Sequence, residues 1–193
     1  EDGMGALWVG TIGGLGRFDR QSETFTSYQN DPRAVRSLSA NVITAIYEDQ
    51  AGVLWIGTNG GLNRFNRVTE TFTRYRNDPH DPRSLGDNSV TAILEDRSGV
   101  LWVGTDGGGV DSRDRESGRF FHNQYDPGNP YSLSDDNVLA VYEDQEGGLW
   151  LGTLILYIRK RPGRDAQHDQ SPSMSESESA LLGTFKSACK SGD

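Results

Sequence analysis

The sequence has 193 residues, with 28 acidic and 19 basic side chains and a formal net charge of −9. That balance excludes the basic footprint of a general nucleic-acid binder. The single cysteine, Cys189, cannot form an internal disulfide and does not report a redox compartment. No apolar run approaches the ~18 residues of a membrane span, so no membrane contact is expected of this segment. No signal-peptide pattern opens at Glu1, although a targeting segment could lie upstream.

The chain is organised by a pentad that recurs four times: Leu7 to Thr11, Leu54 to Thr58, Leu101 to Thr105 and Leu149 to Thr153. Each pentad holds one of the four tryptophans, Trp8, Trp55, Trp102 and Trp150, at spacings of 47, 47 and 48 residues. A fixed period of roughly 20–50 residues marks a repeat architecture. The opening Glu1-Asp2 aligns with Glu48-Asp49, Glu95-Asp96 and Glu143-Asp144, so the chain begins at the end of a strand whose body is absent. The second repeat shows the plan. Ile43 to Tyr47 is β-branched and aromatic and reads as an inner strand a. Asp49 to Gly52 is a tight turn, and Leu54 to Thr58 is strand b. Asn59-Gly60 is a hairpin dipeptide, with Asp106-Gly107 in the same place one repeat later. Leu62 to Phe65 alternates as strand c, and Thr71 to Tyr75 is strand d. Four short antiparallel strands per period predict the blade of a β-propeller, in an all-β chain.

The first repeat supplies strands b, c and d, and the third is complete with Gly109 as an extra residue. Arg113 stands where Phe18 and Phe65 stand elsewhere, so its strand is expected to be irregular or bulged. The fourth supplies Val138 to Tyr142 and Leu149 to Thr153; beyond it the pattern fails, although Leu154 to Arg159 could form another strand. The expected organisation is a repeat region over 1–158 (partial blade 1–28, blades 38–75 and 86–125, partial blade 134–158) and a low-complexity tail over 159–193. The alternating serines of that tail predict disorder.

The tryptophans read as packing wedges between neighbouring sheets, since each such ring buries on the order of 150–250 Å². The Glu-Asp pairs look like acid–base dyads, but neighbours in a strand point to opposite faces and each Asp can cap its turn. Better candidates for recognition are the long connections from strand d to the next strand a. They carry Asp31, Arg33 and Arg36, then Asn77, Asp78, His80 and Arg83, then Asp126, Asn129 and Tyr131. In an up-and-down blade these connections emerge at the same end as the b–c turns, which adds Asn59 and Asp106 to one expected face. The histidines lack metal-ligand spacing, no catalytic set emerges, and no metal or cofactor is expected.

The repeat Glu-Asp-x-x-Gly-x-Leu-Trp-(Ile/Val)-Gly-Thr-x-Gly-Gly-Leu-x-Arg-Phe-(Asp/Asn), carried best by Ile43 to Asn66, resembles the two-component regulator propeller repeat. The resemblance covers nearly all of residues 1–153. It implies a seven-bladed propeller in the periplasmic sensor portion of a receptor whose output is a histidine kinase or related domain. It also implies an oligosaccharide or other small ligand, and as partners the remaining blades and signalling domains of a parent receptor. A protein-binding scaffold and a polysaccharide-active propeller enzyme are the alternatives. Incomplete end blades leave open edges, so self-association of the chain is expected.

Overall fold

The computed structural model describes residues 1–153, and the expectations for 154–193 lie outside the described residues. Thirteen strands form four antiparallel sheets in chain order, and no helix occurs among the described residues. Blade 1 has β1 (Leu7–Thr11), β2 (Gly14–Asp19) and β3 (Thr24–Tyr28). Blade 2 has β4 (Ile43–Glu48), β5 (Leu54–Thr58), β6 (Gly61–Asn66) and β7 (Thr71–Tyr75), hydrogen-bonded in that order. Blade 3 repeats this as β8 (Val90–Glu95), β9 (Leu101–Thr105), β10 (Val110–Arg113) and β11 (Phe120–Asn123). Blade 4 has β12 (Val138–Glu143) and β13 (Leu149–Thr153).

The pentad is the buried second strand. All five residues of β5 are buried, and the threonine closes the following turn, Thr58 Oγ1 donating to Gly61 O at 2.8 Å. Its glycine admits the neighbouring sheet: a Cβ on Gly57 would lie 2.7 Å from Val90 Cγ1, at the start of the next inner strand. Trp8 packs edge-on against Phe65 of the next blade, ring centroids 5.1 Å apart, within a core cluster that includes Leu15, Leu38, Ile56 and Phe72. A second cluster around Trp55, Leu85, Val103 and Phe120 joins blades 2 and 3.

A polar staple runs beside each of these clusters. The Asp of the Glu-Asp pair turns back on its own hairpin: Asp49 Oδ1 accepts Ala51 N and Val53 N, and Oδ2 accepts Trp55 Nε1 at 2.9 Å. The same indole bond joins Trp8 to Asp2, Trp102 to Asp96 and Trp150 to Asp144, at 2.8, 2.7 and 2.6 Å. The Glu reaches the preceding blade instead. Glu48, Glu95 and Glu143 accept the backbone N–H of Gly3, Gln50 and Arg97, at 2.5, 2.6 and 3.0 Å. Arg67 then bridges Asp2 of blade 1 (2.5 Å) and Glu48 of its own blade (2.7 Å). Arg115 repeats the contact to Glu95 at 2.7 Å, and Arg20 repeats it to Glu1 at 2.8 Å. The paired acids are thus divided between two structural tasks, because the Glu ends the inner strand and the Asp opens the turn that follows it.

The third blade departs from the expected irregularity. β10 is four residues long against six in β6, but it pairs with β9 and β11 without a register shift. The extra residue is taken up in the 106–108 turn, closed by Thr105 N donating to Gly109 O at 3.0 Å. The bulges lie in the inner strands instead, between Ile43 and Ala45, Val90 and Ala92, and Val138 and Ala140. Arg113 fills the place of Phe65. Phe65 lies 5.1 Å from Trp8 and 5.3 Å from Tyr28; the Arg113 guanidinium lies 5.1 Å from the Trp55 ring and 5.3 Å from Tyr75. A cation over two ring faces replaces an aromatic edge, and the flat guanidinium keeps the shape.

Two outcomes follow. Arg113→Phe should stay within about 1 kcal/mol of the unmodified chain, because it trades the cation–π contact for removal of a buried Nε that finds no hydrogen-bond partner. Arg113→Ala should lose about 2 kcal/mol in the same denaturant titration, since it opens a gap between two rings. The staple also makes stability acid-sensitive. Burial opposes ionisation of Asp2, yet the bonds from Arg67, the Trp8 indole and Ala6 N–H together carry its pKa from 3.8 down to about 2. Asp2 therefore binds its proton less tightly folded than unfolded. Its contribution, about 2 kcal/mol, is complete above pH ~4 and drains as the pH falls through the folded value. Melting curves of Asp2→Asn should be flatter than those of the unmodified chain across that window and lower at neutral pH.

Candidate functional site

The three long connections share one construction. Each opens on an aspartate that caps its own turn, Asp31 accepting Arg33 N (2.8 Å), Asp78 accepting His80 N (2.9 Å) and Asp126 accepting Gly128 N (2.8 Å). Six residues on, a serine hydroxyl accepts the aspartate's own N–H: Ser37, Ser84 and Ser132, at 2.7, 2.8 and 2.9 Å. Asn77 Nδ2 donates to Leu85 O and Gly86 O, and Asn129 Oδ1 accepts Tyr131 N. The following leucine, Leu38 or Leu85, is buried in the cluster between blades. Side chains that make a turn's hydrogen bonds are not free to meet a ligand. Of the residues expected to form the binding face, Asp31, Asn77, Asp78, Asp126 and Asn129 hold the loops, while Arg33, Arg36, His80, Arg83 and Tyr131 are exposed.

The loops do not lie wholly over the turns with which the sequence groups them. Their last residues do: Asn59 N donates to Val42 O, Asp106 N to Ser89 O, and Asp106 bridges Asn137. The middles of the first two run along the outermost strand of the next blade, where Phe72 N donates to Arg36 O at 2.8 Å and Phe120 N to Arg83 O at 3.0 Å. Asn59 and Asp106 therefore stand beside the inner strands, and Arg36 and Arg83 at the outer rim.

The first two loops are each pinned to the blade that follows by a pair of side chains that sequence reasoning did not single out. In blade 2, buried Asn63 accepts Ser39 N at 2.8 Å, and Arg74 donates to Ser37 O at 2.7 Å and to Ala34 O at 2.8 Å. Burial lowers the Arg74 pKa, with Arg76 adding to the effect. In blade 3 the same places hold Asp111 and His122. Asp111 accepts Gly86 N at 2.6 Å and contacts His122 Nδ1 at 2.6 Å, while His122 Nε2 faces Pro82 O at 3.0 Å. Burial raises the Asp111 pKa and Asp87 adds to the rise, against the pull of His122 and Gly86. Aligning the repeats reveals a joint exchange, Asn63 to Asp111 and Arg74 to His122, and that was the available signal.

Among the described residues, no group of three His, Cys, Asp or Glu side chains is placed to hold a metal ion, and no helix is long and apolar enough to cross a membrane. A concavity of about 590 Å³ lies at the other end of the blades, lined by Met4, Arg17, Phe18, Arg20, Phe65 and Arg67 among others.

Three segments, residues 37–60, 84–107 and 132–154, match the model of the two-component regulator propeller family. None of the curated proteins matches the chain. Among solved structures it is similar to the extracellular domain assigned to the hybrid two-component system BT3049 of B. thetaiotaomicron, with 32% identity and a TM-score of 0.69 over 79% of this chain and 21% of that one. The corresponding domain of BT4673 from the same organism gives 31% identity and a TM-score of 0.63 over 78% and 21%. Virginiamycin B lyase of Staphylococcus aureus, at 16% identity and a TM-score of 0.54 over 78% and 46%, shares the fold alone. The chain thus spans about a fifth of the length of those two extracellular domains. By its repeats, its blades and these likenesses, the chain is built of two-component regulator propeller repeats over residues 37–60, 84–107 and 132–154.

Proposed function

We propose that the chain is the recognition part of an extracytoplasmic sensor in a two-component receptor, with an oligosaccharide as ligand and the long loops as its contact surface. One observation carries the reading: Arg33, Arg36, His80, Arg83 and Tyr131 are exposed on turns whose Asp, Asn and Ser side chains are already hydrogen-bonded within the loop. Such pre-organisation lowers the ordering cost of binding. Arginine forks can pair with hydroxyls or sugar carboxylates, and a tyrosine ring offers a flat apolar face. The likeness to extracellular two-component domains supports the location and the signalling context. Ligand binding would act on the receptor by favouring one of two states, which requires contacts that differ between them.

A second reading, a scaffold for a protein partner, is favoured by the arginine and aromatic content of the exposed set, since these residue types dominate protein interfaces. A propeller enzyme has no comparable support, because the paired acids are committed to holding the blades together.

The test is titration of the purified chain with defined oligosaccharides, followed by two kinds of variant. Arg83→Ala and Tyr131→Ala should each weaken binding by about tenfold, roughly 1.4 kcal/mol, without moving the melting temperature. Asp78→Ala should instead lower the melting temperature, because it removes a turn cap. Absence of saturable binding to any oligosaccharide would remove the sugar from the proposal.

A further inference from the structure

The pin that holds the second loop differs from the pin that holds the first in three coupled residues. In blade 2, Ser39 N donates to the neutral amide of Asn63, and Arg74 donates to Ser37 O and Ala34 O. In blade 3 the same three places hold Gly86, Asp111 and His122. The glycine makes room for the acid, since a Cβ on Gly86 would lie 2.8 Å from Asp111 Oδ1. Asp111 is fully buried, and the His122 side chain is 25% exposed. An amide and a guanidinium, neither of which changes charge near neutral pH, are thus replaced by two side chains that exchange protons.

The oxygens around the imidazole fix how many protons the pair holds. His122 Nδ1 lies 2.6 Å from Asp111 Oδ1, and Nε2 lies 3.0 Å from Pro82 O, a carbonyl that can only accept. Nε2 must therefore carry a proton for the contact with the loop to form. The contact at Nδ1 needs a second proton, whichever of the two atoms carries it. Asp111 Oδ2 is already an acceptor, for Gly86 N at 2.6 Å. Removing one proton leaves Nδ1–H on the carboxylate and turns a lone pair on Nε2 toward the Pro82 carbonyl, which it repels. Burial, with Asp87 of the loop adding to it, raises the Asp111 pKa and favours the second proton. Arg113, two residues along β10 on the same face, is held over the Trp55 and Tyr75 rings, and Asp81 beside Pro82 accepts Arg83 N.

From this geometry we infer that Asp111 and His122 latch the second loop, residues 77–86, by a proton: closed while the pair holds two protons, and open at Pro82 when it holds one. Because the closed loop binds the extra proton, rising pH favours the open one. The first loop, held by Arg74, stays closed throughout. His80 and Arg83 ride on the latched loop, so the ligand surface proposed above is best ordered at the acidic end. That consequence rests on the ligand reading, and the latch itself does not.

Amide hydrogen exchange on the full chain, resolved by NMR and corrected for its intrinsic pH dependence, tests the latch without a ligand. The reporters are Ser84 N, which donates to Asp81 O, and Phe120 N, which donates to Arg83 O; Ser37 N and Phe72 N are their counterparts at the first loop. From about pH 5 to 8, the range in which histidine changes charge, protection of Ser84 and Phe120 should fall roughly tenfold in step with the His122 ring signals, while Ser37 and Phe72 keep theirs. His122→Arg, which reproduces Arg74, and His122→Gln, which cannot change charge, should each abolish the fall. His80→Gln should leave it in place, which separates the latch from the exposed histidine on the same loop. Constant protection of Ser84 and Phe120 across the range overturns the inference. So does an equal fall at the first loop, a fall that persists in either His122 variant, or one that disappears in His80→Gln.

Discussion

The hydrogen bond from each tryptophan indole to the aspartate six residues before it is the contact on which the rest of the blade depends. A buried carboxylate is unfavourable unless its oxygens are satisfied. Asp2 meets that demand from three sources, the turn's backbone N–H groups, the indole and the arginine of the next blade; Asp49 meets it from the first two, with Arg115 3.9 Å away. The bond fixes the tryptophan ring at the point where two sheets meet. The glutamate beside it ties that turn to its neighbour. One dipeptide thereby sets both the hairpin within a blade and the spacing between blades.

That arrangement gives the loops a fixed base. All three long connections start on an aspartate cap, and the first two are also anchored in the middle against the next outer strand and near the end by a leucine between blades. What remains exposed is a small set of side chains on a fixed backbone, the usual division between scaffold and recognition surface. The third blade shows how far substitution can go when shape is kept. Arg113 does the packing of Phe65, and Asp111 with His122 does the pinning of Asn63 with Arg74. Chemistry changes at both places: at the first the Trp and Tyr neighbours stay the same, and at the second Ser39 becomes Gly86 but offers the same backbone N–H.

Because each blade touches its neighbours through the same faces, the stack is close to one-dimensional. Blades 2 and 3 bury both of their broad faces, and blades 1 and 4 expose apolar side chains on one.

The sequence by itself determined the strands, their order and the blade period, because turn residues, β-branched runs and the pentad are local signals repeated four times. It also pointed to packing for the tryptophans, which Trp8 and Trp55 show, and to a turn cap for the Asp of each Glu-Asp pair. Sequence reasoning placed an irregularity at Arg113. The tertiary structure decided otherwise, because a guanidinium over the Trp55 and Tyr75 rings can stand in for a phenyl ring, and only the neighbouring blade supplies those rings. The arginine arm of the staple and the Asp111–His122 pin were likewise settled by contacts 20 residues or more apart along the chain, or between adjacent strands. The loops divided for the same reason. Their residue types announced turns, but which side chains were consumed within a turn and which faced outward depended on distances that no local pattern encodes.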